Sequence, residues 1–134
     1  MKTLNYESLR VSLRWYKLRA TLISLALRDL IFPRKVTGDC PVSVSLTTYS
    51  KRLQTVHTTI QSIVQGKVRP KRLILWLDGD PHKQVIPLPL QRLAKRGLEI
   101  IYVKNFGPHK KYFPYVCAYS DEDVPLVAAD DDVI

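Results

Sequence analysis

The sequence predicts an α/β fold built on a mainly parallel, layered sheet, and three observations carry that expectation. Four short apolar runs, within Val42–Leu46, Leu73–Leu77, Leu98–Val103 and Val124–Ala129, have the length and composition of strands. Helically spaced segments lie between them. Each run gives way to polar or turn-forming residues, so the chain alternates strand with helix, the pattern of a parallel sheet with right-handed crossovers.

The elements follow in order. Residues 1–36 read as a basic amphipathic helix: Leu9, Leu13, Tyr16, Ala20, Ile23, Leu27 and Leu30 recur at steps of three and four, and Arg10, Arg14, Lys17 and Arg28 lie along a neighbouring stripe. Pro33 should end it. This segment holds eight Lys and Arg against Glu7 and Asp29, so +6 of the formal net charge of +9 falls on it. Its longest uncharged interval, Ala20 to Leu27, is far short of the roughly 20 residues needed to span a bilayer. It also lacks the layout of a secretory signal. Two readings remain open for it: a solvated or partner-packed helix, or a helix lying on an anionic membrane surface.

In CPVSVSLTTYS, Val42, Val44 and Leu46 alternate with Ser43 and Ser45 before a polar cluster, which gives a first strand running into a loop. Leu53, Val56, Ile60, Ile63 and Val64 then have helical spacing, with Ser50 as candidate N-cap and Gly66 as candidate stop. Leu73 to Leu77 is a second strand ending in the turn signal Asp78-Gly79-Asp80-Pro81. A helix over Pro89 to Arg96 stops at Gly97, and LEIIYV is the third strand. KKYFPYVCAYS reads as a helix interrupted or started near Pro114, and VPLVAA is the fourth strand.

With 134 residues and 46% hydrophobic content, the chain supports one globular core. Cys40 and Cys117 fit no metal or redox spacing and read as reduced packing residues, in keeping with a cytoplasmic setting.

In a parallel sheet the ligand crevice lies beyond the carboxyl ends of the strands. Those ends carry Thr47, Thr48 and Tyr49 with Arg52, then Asp78-Gly79-Asp80, then Lys104-Asn105, then Asp130-Asp131-Asp132. Three adjacent carboxylates at the end of an apolar strand repel one another, and a hard divalent cation bridging to phosphate would relieve that repulsion. Lys110 and Lys111 offer further cationic contacts to phosphate.

Taken together, VSLTTYSKRL, TIQSIVQGKVRPKRLILWL, LAKRGLEI and GPHKKYFPYVCAYSDEDVPLVAADDDVI resemble the amino-terminal, nucleotide-binding half of GT-A-type glycosyltransferases, especially bacterial enzymes that build surface polysaccharides. The resemblance runs from about Val42 to Ile134 and implies a Rossmann-like partial nucleotide-sugar-binding domain over residues 37–134. It implies that Asp130 and Asp132 are the two carboxylates of an Asp-X-Asp motif holding Mn²⁺ or Mg²⁺, with Asp131 at the variable position. It further implies that Thr47, Thr48, Tyr49 and Arg52 lie near the base and ribose, and that Asp78 contacts the base or its ribose. The implied activity is transfer of a sugar from a nucleoside-diphosphate sugar to a glycan or glycolipid acceptor. In the family an acceptor-binding half follows the motif and carries the base of inverting members. The expectation is therefore that the base lies downstream of Ile134 and that this chain alone is inactive.

The strongest rival is a non-catalytic basic module that binds nucleic acid or a membrane. Against nucleic acid, the basic excess lies outside the α/β core and no aromatic residues interleave with it on a strand pair, so no nucleic-acid partner is expected.

Overall fold

The computed structural model describes residues 6–131, with side chains described from Arg10 onward. The chain forms two compact units, Met1–Pro33 and Arg34–Ile134. The first contains one helix, α1 (Tyr6–Ile31), which closes as the Phe32 amide donates to the Arg28 carbonyl immediately before Pro33. Among the described residues no helix is long and apolar enough to cross a membrane.

The second unit is an α/β layer structure. Its strands are β1 (Cys40–Thr47), β2 (Pro70–Asp78), β3 (Leu98–Val103) and β4 (Leu126–Ala129), and its helices are α2 (Val56–Val64), α3 (Leu88–Ala94) and α4 (Phe113–Ala118). The strands form one sheet in the order β3-β2-β1-β4, and every neighbouring pair is parallel. Leu46 thus stands beside Leu75 on one side and Ala129 on the other. The chain steps outward from β1 to β2 to β3, then returns to add β4 on the other side of β1. That reversal opens a crevice between the carboxyl ends of β1 and β4.

Alternation along β2 divides the core in two. Leu73, Leu75 and Leu77 pack with Val56, Ile60 and Val64 of α2 and Leu90 and Leu93 of α3, and Val36 joins the same cluster. Ile74 and Trp76 point the other way and pack with Tyr115 of α4. Ser43 and Ser45 share this second face and are fully buried. Their hydroxyls are satisfied there: Tyr115 Oη donates to Ser43 Oγ at 2.9 Å, Trp76 Nε1 donates to Ser45 Oγ at 2.8 Å, and Ser45 Oγ donates to the Lys111 carbonyl. Both serines are therefore structural, since a buried hydroxyl costs free energy only when it lacks a partner.

Two local expectations change. Ser50 is no helix cap: it has φ +48° and opens a 3₁₀ turn, Ser50–Gln54, while Thr55 occupies the N-cap position of α2 without a side-chain cap bond. The tight turn satisfies part of the backbone hydrogen bonding that a cap would otherwise supply. Cys117 is exposed on α4 and does not pack in the core; Cys40 is half-buried, and both are free thiols. The segment around Pro114 resolves as a 3₁₀ turn, Gly107–Lys111, followed by α4, with Pro114 in its first turn, where a missing N–H costs nothing. Gly97, after α3, has φ +112°, a conformation that a side chain would strain.

At the opposite end of the sheet from the crevice, Arg72 ties β2, β3 and the segment after α4 together. Its Nε and Nη2 donate to both oxygens of Glu99 at 2.8 and 2.7 Å, Nη1 reaches Glu122 at 3.3 Å, and its Cζ lies 3.7 Å from the Tyr119 ring centroid. Hydrogen bonding to Glu99 holds the guanidinium above its ordinary pKa, against the opposing effect of burial. Arg72→Ala is expected to cost about 2 kcal/mol, because it removes a bidentate charge-assisted pair whose remaining carboxylate can partly rehydrate. Urea denaturation of the two proteins measures the difference, and Arg72→Lys should recover only part of it.

Candidate active-site cleft

The crevice at the β1/β4 reversal is a cleft of about 450 Å³, lined by Thr47, Tyr49, Arg52, Asp78, Asn105, Gly107, Pro108, Lys110, Lys111, Asp130 and Asp131. Each part arrives from a strand end. β1 delivers Thr47 and Tyr49, and the following 3₁₀ turn delivers Arg52. β2 ends on Asp78, where Gly79 at φ +106° turns the chain away, a reversal that glycine accepts without strain. Beyond β3, Asn105 Oδ1 accepts from the Gly107 amide at 2.9 Å and shapes the loop leading to Lys110 and Lys111. β4 delivers Asp130 and Asp131.

Asp131 forms the floor. Its side chain is only 7% exposed, Oδ2 accepts from the buried Thr48 hydroxyl at 2.8 Å, and Oδ1 accepts from Arg52 Nη1 at 2.8 Å. Its carbonyl accepts from Thr59 Oγ1 of α2 at 3.0 Å. One residue thereby fastens β1, α2 and the intervening 3₁₀ turn to the end of β4. A buried carboxylate is tolerated here because it has a counter-charge and a hydrogen bond on each oxygen.

Asp130 differs from its neighbour. Its side chain is 62% exposed, and Lys111 Nζ donates to Oδ1 at 2.8 Å. Across the cleft, Lys110 is buried, its side chain 6% exposed, and its Nζ lies 3.0 Å from Asp78 Oδ2. The cleft therefore contains three cation–carboxylate pairs: Arg52 with Asp131, Lys110 with Asp78, and Lys111 with Asp130. Among the described residues the formal charges of the cleft balance, whereas the chain as a whole is strongly basic.

The sequence-derived residues divide as follows. Thr47, Tyr49, Arg52, Asp78, Lys110, Lys111 and Asp130 come together around the cleft. Thr47 Oγ1 also donates to the Trp76 carbonyl at 3.3 Å, and the Arg52 guanidinium lies 5.4 Å from the Tyr49 ring centroid. Thr48 is buried beneath the lining and acts on Asp131. Asp80 turns aside and accepts from the His82 amide at 2.9 Å. Asp132 lies outside the described residues. The sequence did not single out Gly107, Pro108 or Thr59, nor the anchoring role of Asp131; Gly-Pro at the mouth of a loop after a strand was the one available signal.

Among the described residues no group of three or more His, Cys, Asp or Glu side chains gathers as a ligand set for a metal ion. Of the two described carboxylates that follow β4, Asp130 fits a hard divalent cation: it is accessible and oxygen-donating. Asp131 does not fit, since both its oxygens are engaged below the surface. Comparison of the chain with known protein families, with curated proteins and with solved structures finds no match.

Proposed function

We propose that the cleft binds a nucleoside-diphosphate sugar together with a divalent cation, and that the chain is the donor-binding part of a glycosyltransferase. The observation that carries this reading is the set of three cation–carboxylate pairs at the β1/β4 reversal. At the described pairs a free anion would meet lysines already neutralised, and a free metal would meet carboxylates already paired. A ligand bringing both signs suits such a site, because it exchanges each internal pair for a new one without stranding a charge.

In this reading Asp130, with Asp132, would hold Mn²⁺ or Mg²⁺, and the bound cation would supply Lewis-acid stabilisation of the departing diphosphate. Lys111, relieved of Asp130, turns its ammonium toward phosphate. Lys110, buried and held by Asp78, presents a fixed positive charge from the cleft wall, which requires little reorganisation as negative charge develops. Tyr49 and Arg52 offer a ring and a guanidinium to the base and ribose. The acceptor is a glycan or glycolipid hydroxyl, and the base that deprotonates it is not among the residues of the cleft.

Calorimetric titration of the chain with UDP and GDP tests the reading. Mn²⁺ is expected to tighten binding of one of them about tenfold, and Asp130→Ala to abolish that increment while leaving weak metal-free binding intact. Equal affinity with and without Mn²⁺ for both nucleotides would overturn it. The assignment to saccharide synthesis predicts in addition that a UDP- or GDP-sugar competes with the free diphosphate.

A further inference from the structure

We infer that α1 is a membrane-surface helix that docks on anionic lipid, an activity independent of the cleft. The inference rests on how its side chains divide around the axis. Arg10, Arg14, Lys17, Thr21, Ser24 and Arg28 recur at alternating steps of four and three. At α-helical pitch this places them in one stripe about 80° wide that runs for about five turns. Every charged residue in the stripe is basic. Its two hydroxyls are satisfied within the helix, Thr21 Oγ1 donating to the Lys17 carbonyl at 2.9 Å and Ser24 Oγ to the Thr21 carbonyl at 2.8 Å.

Around the rest of the circumference exposed apolar side chains predominate, among them Leu13, Trp15, Tyr16, Ile23, Leu27 and Leu30, with Trp15 61% and Tyr16 72% exposed; along one edge of the stripe Leu25 is buried and Leu22 and Asp29 are half-buried. This width decides the occupant. A partner helix covers only a narrow seam and would leave most of the apolar sector in water. A lipid surface covers the exposed part of the sector at once while keeping a narrow polar stripe at headgroup level. The sign of the stripe then selects anionic headgroups, and Trp15 and Tyr16 are residue types that favour the interface. Arg19 stands opposite the centre of the stripe, in the middle of the apolar sector, so its charge limits how deeply that face sinks and keeps α1 shallow in the headgroup region. Because α1 does not span, it lies in the plane of the interface.

Flotation of the full chain with phosphatidylcholine vesicles, with or without phosphatidylglycerol, is the test, with no nucleotide present. Strong binding is expected only with phosphatidylglycerol, and the double variant Arg14→Gln/Lys17→Gln should bind about thirtyfold more weakly. Tryptophan emission gives a second readout, because Trp76 is buried in the core and Trp15 is exposed. Anionic vesicles should shift the emission to shorter wavelength, and Trp15→Phe should remove the shift. Equal binding to both vesicle types, no emission shift, or a shift that follows protein concentration without lipid would overturn the inference; the last result would mean that a second copy covers the face. Preferential binding of duplex DNA over anionic vesicles would overturn it as well. Failure of nucleotide binding at the cleft would leave these results unchanged, so the two readings fail separately.

Discussion

Asp131→Ala is expected to destabilise the chain by about 3 kcal/mol. The substitution strands the buried Thr48 hydroxyl and removes a charge-assisted bond from Arg52, and those two losses together give that magnitude. Asp131→Asn keeps an acceptor for Thr48 and gives up only the charge, so about half the loss is expected. Guanidinium denaturation followed by circular dichroism measures both. If Asp131→Ala falls within about 0.5 kcal/mol of the parent, the floor of the cleft is not held as described. The same variant should weaken nucleotide binding without changing its metal dependence, since Asp131 acts by holding Arg52 and the end of β4 in place. Asp130→Ala should show the opposite profile: stability nearly unchanged and metal coupling lost.

The second large effect is an asymmetry across the Lys110–Asp78 pair. Asp78→Asn leaves a buried ammonium with no counter-charge and is expected to cost about 3 kcal/mol. Lys110→Met fills similar space with an apolar side chain and leaves behind Asp78, 28% exposed and able to recover water, so about 1 kcal/mol is expected. The double variant Asp78→Asn/Lys110→Met should be more stable than Asp78→Asn alone, the coupling being read from a double-mutant cycle. Two single variants of equal cost would mean that the lysine is better hydrated than its burial implies. For function the order should reverse: Lys110→Met, which keeps the fold, should lose affinity for diphosphate.

The parts of this fold that depend on short-range pattern were legible in the sequence. Leu73 to Leu77 is a strand because a continuous apolar run suits a sheet covered on both faces, Leu98 to Val103 is one because its apolar residues, broken only by Glu99, suit a half-buried edge strand, and Asp78-Gly79 ends the first because glycine turns there without strain. The strand ends were legible too, and with them most of the cleft lining. What depended on pairing between distant segments was not. Asp130 and Asp131 are equivalent as letters; they diverge because β4 lies beside β1, which sets the buried Thr48 and Arg52 under one carboxylate and leaves the other in water with Lys111. Ser43 and Ser45 likewise look solvent-facing by alternation. They are buried because α4 brings Tyr115 over one and Trp76 reaches the other from β2, contacts separated by dozens of residues along the chain.

β4 is four residues long and is bonded to β1 alone among the described strands, yet it carries the acidic wall of the cleft. The ladder to β1 holds its backbone, and Asp131, with Thr48, Arg52 and Thr59 as the fasteners, holds its carboxyl end. Opening of β4 and dismantling of the cleft are therefore a single event, and any ligand that spans Arg52 or Lys111 and the acidic wall closes that event from outside. Hydrogen exchange at the Leu126–Ala129 amides becomes an occupancy meter for a site those amides never touch, slowing in proportion to how full the cleft is.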